Sequence, residues 1–161
     1  EEGMYNYDGH RVCGISFDPV TTKKHKNICP RCKRPLTIGV LHRVDNLLDR
    51  KAIERPQMAI PLKKILPLPE IIAEYFEMAD TSKKVMNLFF EIVKNGGSEL
   101  SVLLDAPLEQ MKTFMPEDLA DGIIRARDEK VKLTPGYDGN YGNVSLFSES
   151  HRIVQKQSAL W

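Results

Sequence analysis

The sequence lacks the long apolar runs of a membrane protein, since no stretch approaches the roughly 18 consecutive apolar residues that a spanning helix needs. Its first residues, Glu1-Glu2-Gly3, also lack the basic region and the apolar core of a signal peptide. Apolar residues make up 42% of the 161 residues and charged residues 28%, a balance typical of folded globular proteins. We therefore expect a protein of the cytoplasm that has no membrane partner.

Motifs of the common catalytic classes are missing as well. No Gly-x-x-x-x-Gly-Lys-Ser/Thr loop occurs, which argues against ATP-driven activity. There is no nucleophile elbow and no Cys/His pair outside the cluster described below, and the carboxylates are scattered along predicted helices. We therefore assign no catalytic residue to this chain.

Cysteine is scarce: the chain has three, all among the first 32 residues, too few for a closed disulfide framework. They occur in two spacings, His10-x-x-Cys13 and Cys29-x-x-Cys32, which is the arrangement of the two knuckles of a zinc ribbon. Each knuckle is a tight turn that presents two ligands, and two facing turns complete a tetrahedron. Three thiolates and one imidazole leave no open coordination position, so the spacing predicts a structural zinc ion.

Other interpretations of these residues stay open at this point. His25 or His42 could replace His10 as the fourth ligand, although neither lies in a knuckle spacing. The Cys29-x-x-Cys32 pair could be a redox motif, but no strand–turn–helix pattern surrounds it. A chance grouping of buried thiols with a surface histidine is the remaining alternative.

Positive charge is concentrated in the first part of the chain. Residues 1–66 contain 13 Lys and Arg against 7 Asp and Glu, whereas residues 67–161 contain 10 against 15. The basic part is where a phosphate backbone would bind, although a well-solvated surface explains the same surplus.

The hydrophobic and turn patterns predict an α+β fold, in which a small zinc ribbon is followed by a mainly helical domain that ends in a β-hairpin. A β-rich run after the second knuckle is expected to close the ribbon. Apolar residues at helical spacing, with Ser, Thr, Pro and Gly at the ends, predict the later helices. Those helices are expected at residues 69–78, at 82–93, from 107 and at 116–129. The expected organisation is a zinc ribbon at 1–41, a basic connection at 42–68, a helical domain at 69–147 and a flexible tail at 148–161.

Two features of the second half have both a functional and a purely structural explanation. The two helices after Pro107 could grip a DNA backbone, but such a pair is more often a packed helical hairpin, which is the interpretation we favour. Asp138-Gly139 is a strong hairpin signal between two predicted strands. The surrounding glycines serve such a turn, whereas Tyr137 and Tyr141 would let a base stack on the loop.

Several segments together resemble the endonuclease Q family, and they occur in the family's order from about residue 2 to residue 147. They are Glu2-Gly3-Met4-Tyr5-Asn6-Tyr7, Ile28-Cys29-Pro30-Arg31-Cys32, the run at 35–44, the run at 65–74 and the loop at 135–142. The His-x-x-Cys knuckle departs from members that have two cysteines there.

The resemblance implies a DNA-repair nuclease whose N-terminal phosphoesterase domain, of the polymerase-and-histidinol-phosphatase type, holds the catalytic metals. This chain resembles only the zinc domain and the C-terminal helical domain. We therefore expect it to bind DNA with a deaminated base or an abasic site, and not to cut DNA by itself. The candidate DNA contacts are not carried over from the family; they are Arg11, Arg31, Lys33, Arg34, His42, Arg43, Tyr137 and Tyr141.

The tail contains Gln157-x-x-Leu160, which is the first half of a peptide that binds a sliding clamp. Gln157 and Leu160 are therefore candidate partner contacts, although half a motif is weak evidence and a disordered polar terminus is the favoured interpretation. Two other functions compete with DNA binding. One is a zinc-stabilised protein-interaction module without a DNA-binding role, and the other is a complete zinc hydrolase, which an open metal position would require.

Overall fold

The computed structural model describes residues 2–49 and 58–147. Within them the chain forms, in order, β1 (Asp8–His10), β2 (Ile15–Phe17), α1 (Pro19–Lys24), α2 (Val40–Leu47), α3 (Leu68–Phe76), α4 (Lys83–Gly96), α5 (Glu99–Leu104), α6 (Leu108–Met111), α7 (Glu117–Arg127), β3 (Lys132–Thr134) and β4 (Asn143–Ser145). Helices thus occur with two small antiparallel hairpins, which confirms the predicted α+β class.

The chain divides into two compact units. The first comprises the described parts of Glu1–Ile60 together with Leu133–Val144, and the second comprises the described parts of Pro61–Lys132 and Ser145–Trp161. The first unit therefore joins the N-terminal segment to a loop that occurs much later in the sequence. The domain boundaries that composition suggests at residues 41, 68 and 147 stay predictions.

In the first unit, β1 and β2 form an antiparallel hairpin whose register places His10 opposite Ile15. A 3₁₀ turn at Arg11–Cys13 joins the two strands. Thr37 pairs with Gly9 through two backbone hydrogen bonds, of 2.9 and 2.8 Å. This pairing closes the ribbon, as the β-rich run after the second knuckle predicts.

Two helices of this unit, α1 and α2, are not expected from the sequence pattern. α1 begins at Pro19 and is capped by Asp18, whose Oδ1 accepts the backbone N–H of Thr21 at 3.0 Å. α2 begins after Gly39, whose N–H donates to Oδ1 of Asp8 at 2.6 Å. Residues 40 and 41, at the end of the expected β-rich run, are therefore helical. So are residues 42–47, at the start of the expected basic connection.

In the second unit, α3 to α7 pack around one hydrophobic core. α4, with 14 residues, is capped by Ser82, whose Oγ accepts the N–H of Val85. Ser98 caps α5 in the same way, since its Oγ accepts the N–H of Ser101. The apolar run at residues 100–104 is too short to assign to a helix or a strand from its sequence, and it is helical. The fully buried core side chains include Leu68, Ile71, Ile72, Val85, Ile92, Val102, Met111, Leu119 and Ile123.

The helices expected from apolar spacing near residues 69–78, 82–93 and 116–129 are present as α3, α4 and α7. α6 and α7 pack against each other and bury Met111 and Leu119, which agrees with a packed helical hairpin. Within residues 2–49 and 58–147, no helix is both long and apolar enough to cross a membrane.

Arg127, the last residue of α7, binds the C-terminal end of α5. Its guanidinium donates to the backbone carbonyl groups of Leu103 at 3.1 Å, Ala106 at 3.0 Å and Val102 at 2.9 Å. Carbonyl groups at a helix end have no partner within the helix, and a cation placed there also interacts favourably with the helix dipole. Arg127 therefore fixes α7 to α5.

Replacing this guanidinium tests the contact. Arg127→Ala should lower the free energy of unfolding of the second unit by about 2–3 kcal/mol, because partly buried carbonyl groups lose their donors. Urea denaturation followed by circular dichroism measures the change, and Lys94→Ala, an exposed site on α4, is the matched control. The control should stay within about 0.5 kcal/mol of the parent chain. An Arg127→Ala protein as stable as the control would contradict this role.

Candidate metal centre and nucleic-acid interface

The first knuckle follows directly from β1. His10 is the last residue of that strand, and Cys13 ends the 3₁₀ turn. The turn closes through a 3.0 Å hydrogen bond from the N–H of Gly14 to the carbonyl oxygen of Arg11. Because the turn is short, the imidazole and the thiol of this knuckle lie on the same side of the chain.

The second knuckle is the tip of a narrow hairpin at residues 27–36. The N–H of Cys29 donates to the carbonyl oxygen of Arg34 at 2.8 Å, and the N–H of Lys33 donates to the carbonyl oxygen of Cys29 at 2.9 Å. Lys33 has a φ of +62°, which reverses the chain. Cys29 is fully buried.

The two knuckles bring four ligand atoms together. The ligand atoms of His10, Cys13, Cys29 and Cys32 all lie within 4.8 Å of one another. Nδ1 of His10 lies 3.4 Å from Sγ of Cys32. In a tetrahedral zinc site, an S ligand and an N ligand are separated by about 3.6 Å, so the donor set and its spacing fit such an ion. Three sulfur atoms and one nitrogen fill the four positions, which is the pattern of a structural site.

Two thiols of the cluster, those of Cys13 and Cys29, have shifted pKa values. Burial, followed by hydrogen bonds with Cys32 and Cys29, raises the pKa of the Cys13 thiol to about 11. Burial also acts to raise the pKa of Cys29, but hydrogen bonds from the backbone amides of Cys32 and Arg31 and from the neighbouring thiols outweigh it and lower that pKa to about 6. A metal that binds three thiolates must therefore displace protons at neutral pH.

Arg31 connects the two knuckles. Its Nη1 donates to the carbonyl oxygen of Cys13 at 2.9 Å. Arg31 is one of the candidate DNA contacts, and its side chain is exposed. The bond to the first knuckle gives it a structural role that the sequence does not reveal, since Cys13 is 18 residues away.

Residues 135–142 form a loop that packs on the ribbon. Asp138 and Gly139 have φ of +44° and +84°, and Tyr137 and Asn140 exchange two backbone hydrogen bonds of 3.0 and 2.8 Å. Positive φ at both central residues is typical of a type I′ turn, so the Asp-Gly hairpin signal is confirmed. The N–H of Gly142 donates to the carbonyl oxygen of Glu2 at 2.8 Å and thereby attaches the loop to the N-terminal segment.

The side chain of Asp138 fixes this loop beside the first knuckle. Its Oδ2 accepts the backbone N–H of Arg11 at 2.5 Å, and its Oδ1 accepts the hydroxyl of Thr37 at 2.6 Å. Burial acts to raise the pKa of Asp138, but these two hydrogen bonds and the nearby His10 and Arg11 outweigh it and hold the pKa below its usual value. Asp138 is therefore ionised at neutral pH. The Asp-Gly dipeptide signals the turn in the sequence, but not this contact 127 residues away.

The predicted aromatic contacts lie in different environments. Tyr137 is half-buried, and its ring packs on Gly9, where an added Cβ would lie 2.3 Å from Cδ2 of the tyrosine. Tyr141 is 75% exposed, so its ring is accessible to a base. Only Tyr141 of this pair has the exposure that stacking on a nucleotide requires.

His42 and His25, the two alternative metal ligands, lie outside the four-residue cluster. His42 is buried in α2, and its Nδ1 lies 2.6 Å from Oδ2 of the buried Asp8, which makes it a structural residue and removes it from the accessible surface. His25 stacks on Phe17 with ring centroids 5.0 Å apart. The four-residue cluster includes His10 and neither of these alternatives.

The remaining candidate cations, Lys33, Arg34 and Arg43, are exposed. Gln157 and Leu160 lie outside the described residues, so the clamp-binding peptide stays a prediction, as does the location in the cytoplasm.

The second unit matches a known protein family. Residues 67–130 match the family model described as the MJ0043 C-terminal domain. One relative, the uncharacterized protein MJ0043 of Methanocaldococcus jannaschii, is 33% identical over 144 residues, which are 89% of this chain and 18% of that protein. The chain therefore spans less than a fifth of the length of this relative.

Two solved structures of endonucleases resemble most of this chain. The novel lesion-specific endonuclease PfuEndoQ from Pyrococcus furiosus matches with a TM-score of 0.78 and 28% identity, over 94% of this chain and 37% of that chain. Endonuclease Q in complex with a 27-mer duplex substrate with an abasic lesion at the active site matches with a TM-score of 0.74 and 28% identity, over 92% of this chain and 37% of that chain. The predicted resemblance to part of endonuclease Q is confirmed.

Removal of one ligand tests the metal centre. Cys29→Ala should abolish binding of one metal ion per chain and unfold the first unit, because in small sites the free energy of metal binding is folding free energy. Elemental analysis measures the metal, and limited proteolysis with mass spectrometry locates the unfolded segment. The helices of the second unit should stay protected.

Thr22→Val is the matched control, because Thr22 is also fully buried in the first unit and its hydroxyl has no partner within the described residues. The control should retain its metal and its resistance to proteolysis. A Cys29→Ala protein whose first unit stays folded would contradict the structural role of the site.

Proposed function

We propose that this chain is the zinc-stabilised DNA-binding portion of a DNA-repair endonuclease that acts at a deaminated base or an abasic site. The observation that carries the proposal is the likeness of 92% of the chain to endonuclease Q bound to a duplex with an abasic lesion. The chain covers 37% of that protein, so the proposal assigns strand cleavage to the rest of the parent molecule. The chain alone would then bind DNA and not cut it.

Zinc is the metal that the donor set favours. Thiolate ligands select zinc, copper(I) and iron–sulfur clusters over hard cations, and a mixed sulfur and imidazole tetrahedron is typical of zinc. With His10, Cys13, Cys29 and Cys32 as ligands, no position is left for a reactive water molecule. The ion would therefore stabilise the two knuckles and take no part in hydrolysis, which argues against a complete zinc hydrolase.

Unpaired positive charge around the second knuckle supports binding to phosphates. Lys33 and Arg34 are exposed beside Cys32, and within the described residues their side chains form no ion pair. Lys24, the last residue of α1, and Lys26 are exposed just before the hairpin at residues 27–36. Free cations on a rigid, metal-stabilised turn can neutralise phosphates with little loss of conformational entropy.

Tyr141 supplies the aromatic surface of the proposed interface. Base–aromatic stacking is tolerant of sequence, and a base at a lesion leaves the helical stack more easily than a paired base does. The ring of Tyr141 is exposed on a loop that Asp138 fixes to the ribbon. We therefore propose that Tyr141, Arg11, Lys33 and Arg34 contact DNA. The buried His42 is left out of the proposed interface.

A second candidate function is a zinc-stabilised module that binds another protein. The observation that favours it is an apolar stripe on α2, where Val40, Val44 and Leu47 are 62%, 46% and 64% exposed. Exposed apolar residues at this spacing are typical of a helix face that packs against a partner.

Fluorescence anisotropy of the zinc-loaded chain with labelled duplexes distinguishes these functions. The duplexes contain one deoxyuridine, one abasic site or no lesion, and each is titrated at two salt concentrations. We expect binding that weakens steeply with salt and is tighter for a lesion, without strand cleavage. Lys33→Gln with Arg34→Gln should make the slope of log K against log salt shallower by about 0.9 for each phosphate that is no longer neutralised.

Lys83→Gln with Lys94→Gln, two exposed lysines on α4, is the matched charge control and should leave the slope unchanged. Equal affinity for all three duplexes would place lesion reading in the rest of the parent molecule. No binding at low salt would refute the DNA-binding proposal and favour the protein-interaction module.

A further inference from the structure

A surface notch lies where three separate segments of the first unit meet. A Cβ added to Gly139 would lie 3.4 Å from Nη1 of Arg11 and 3.7 Å from the hydroxyl of Tyr5. Because Gly139 has no side chain, a gap remains between a guanidinium and a phenol. We call these residues the Tyr5–Arg11–Gly139 notch.

The polar groups of the notch have donor capacity that the protein does not use. Within residues 2–49 and 58–147, neither the guanidinium of Arg11 nor the hydroxyl of Tyr5 donates a hydrogen bond to a protein acceptor. Arg11 is exposed, and Tyr5 is 49% exposed. The nearby carboxylate of Asp138 accepts the backbone N–H of Arg11 and the hydroxyl of Thr37, so both of its oxygen atoms are already bonded. The notch thus offers a cation and a neutral donor to an external ligand.

Backbone contacts hold the notch in shape. The N–H of Gly139 donates to the carbonyl oxygen of Met4, which adjoins Tyr5, at 3.1 Å. Asp138, which adjoins Gly139, accepts the backbone N–H of Arg11 at 2.5 Å. Since neither bond uses the side chain of Tyr5 or Arg11, both side chains can be changed without removing these bonds.

We propose that the notch binds one phosphodiester group of the DNA backbone, an assignment that rests on the proposed function. A guanidinium presents paired N–H groups that match two phosphate oxygen atoms, and the phenol adds a third donor. The bare backbone at Gly139 lets the phosphate approach closely. Such a contact positions a strand and carries no sequence information. Tyr141 follows Gly139 by two residues, so a phosphate in the notch brings the adjoining nucleotide to the loop that carries the exposed ring.

Two substitutions test the charge of Arg11 and the neutral donor of Tyr5 separately. Both are made in the zinc-loaded 161-residue chain. Arg11→Gln should weaken binding to undamaged duplex roughly tenfold, and the slope of log K against log salt should become shallower by about 0.9, because one phosphate is no longer neutralised. Tyr5→Phe should weaken binding about three- to tenfold with an unchanged slope, because it removes an uncharged donor. Both variants should keep the metal content and melting temperature of the parent chain.

A third substitution fills the gap itself. Gly139→Ala places a methyl group in the notch, and Gly97→Ala is the matched control, since φ is +84° at Gly139 and +85° at Gly97, where an added Cβ meets nothing within 4 Å. Both alanines are placed at a positive φ that L-residues rarely adopt, but only the first should reduce DNA affinity, by roughly tenfold. If Gly139→Ala disturbs the turn, Arg11→Gln and Tyr5→Phe still decide the question.

The outcomes distinguish the notch from the broader proposal. If the parent chain shows salt-dependent binding but Arg11→Gln and Tyr5→Phe bind as it does, the notch assignment is wrong and the proposed function stands. If the parent chain shows no salt-dependent binding, both are wrong. A loss of affinity that accompanies a loss of metal would also overturn the assignment, because the effect would then be structural. If inorganic phosphate binds the parent chain but not Arg11→Gln, and does not displace DNA at constant ionic strength, the notch belongs to the free ion and the assignment is wrong.

Discussion

The arrangement of the first unit rests on the carboxylate of Asp138, together with four backbone hydrogen bonds that join residues 136–142 to residues 2–7. The carboxylate joins a loop near the end of the described chain to the amide beside His10 and to the hydroxyl of Thr37. The loop, the first knuckle and the ribbon strand therefore share one anchor. A metal at the four-ligand cluster would fix the two knuckles, and this anchor would extend that rigidity to the loop that carries Tyr141.

The two units achieve stability by different means. The second unit has an apolar core of packed helices, completed by polar contacts such as the guanidinium of Arg127 at the end of α5. The first unit has few buried apolar side chains, among them Cys29 and Leu36. Small units with little apolar core commonly need a metal or disulfides, which is consistent with the four residues of this unit that could hold a metal.

Local signals in the sequence predict part of this structure, and long-range contacts account for most of what they miss. The knuckle spacing, a Ser or Thr cap at the start of α4 and the Asp138-Gly139 turn depend on residues close in sequence. Each is found, with Ser82 as the cap. The sequence pattern did not predict α2, because its first residues continue a β-rich run and basic residues follow them. Val40, Val44 and Leu47 nevertheless have helical spacing. The contact of His42 with the buried Asp8 and the bond from Arg31 to the other knuckle join residues far apart in sequence. The sequence does not reveal these contacts, and both side chains were therefore predicted to contact DNA.

Hydrogen exchange of the metal-loaded and chelated chain tests the central claim that the metal centre organises the remote loop. On chelation, the amides of Gly139 and Gly142 should lose protection together with those of Cys29 and Lys33, while amides in the middle of α4 keep theirs. If the loop amides stay protected after the knuckle amides have exchanged, the loop is held independently of the metal and this account of the first unit is wrong.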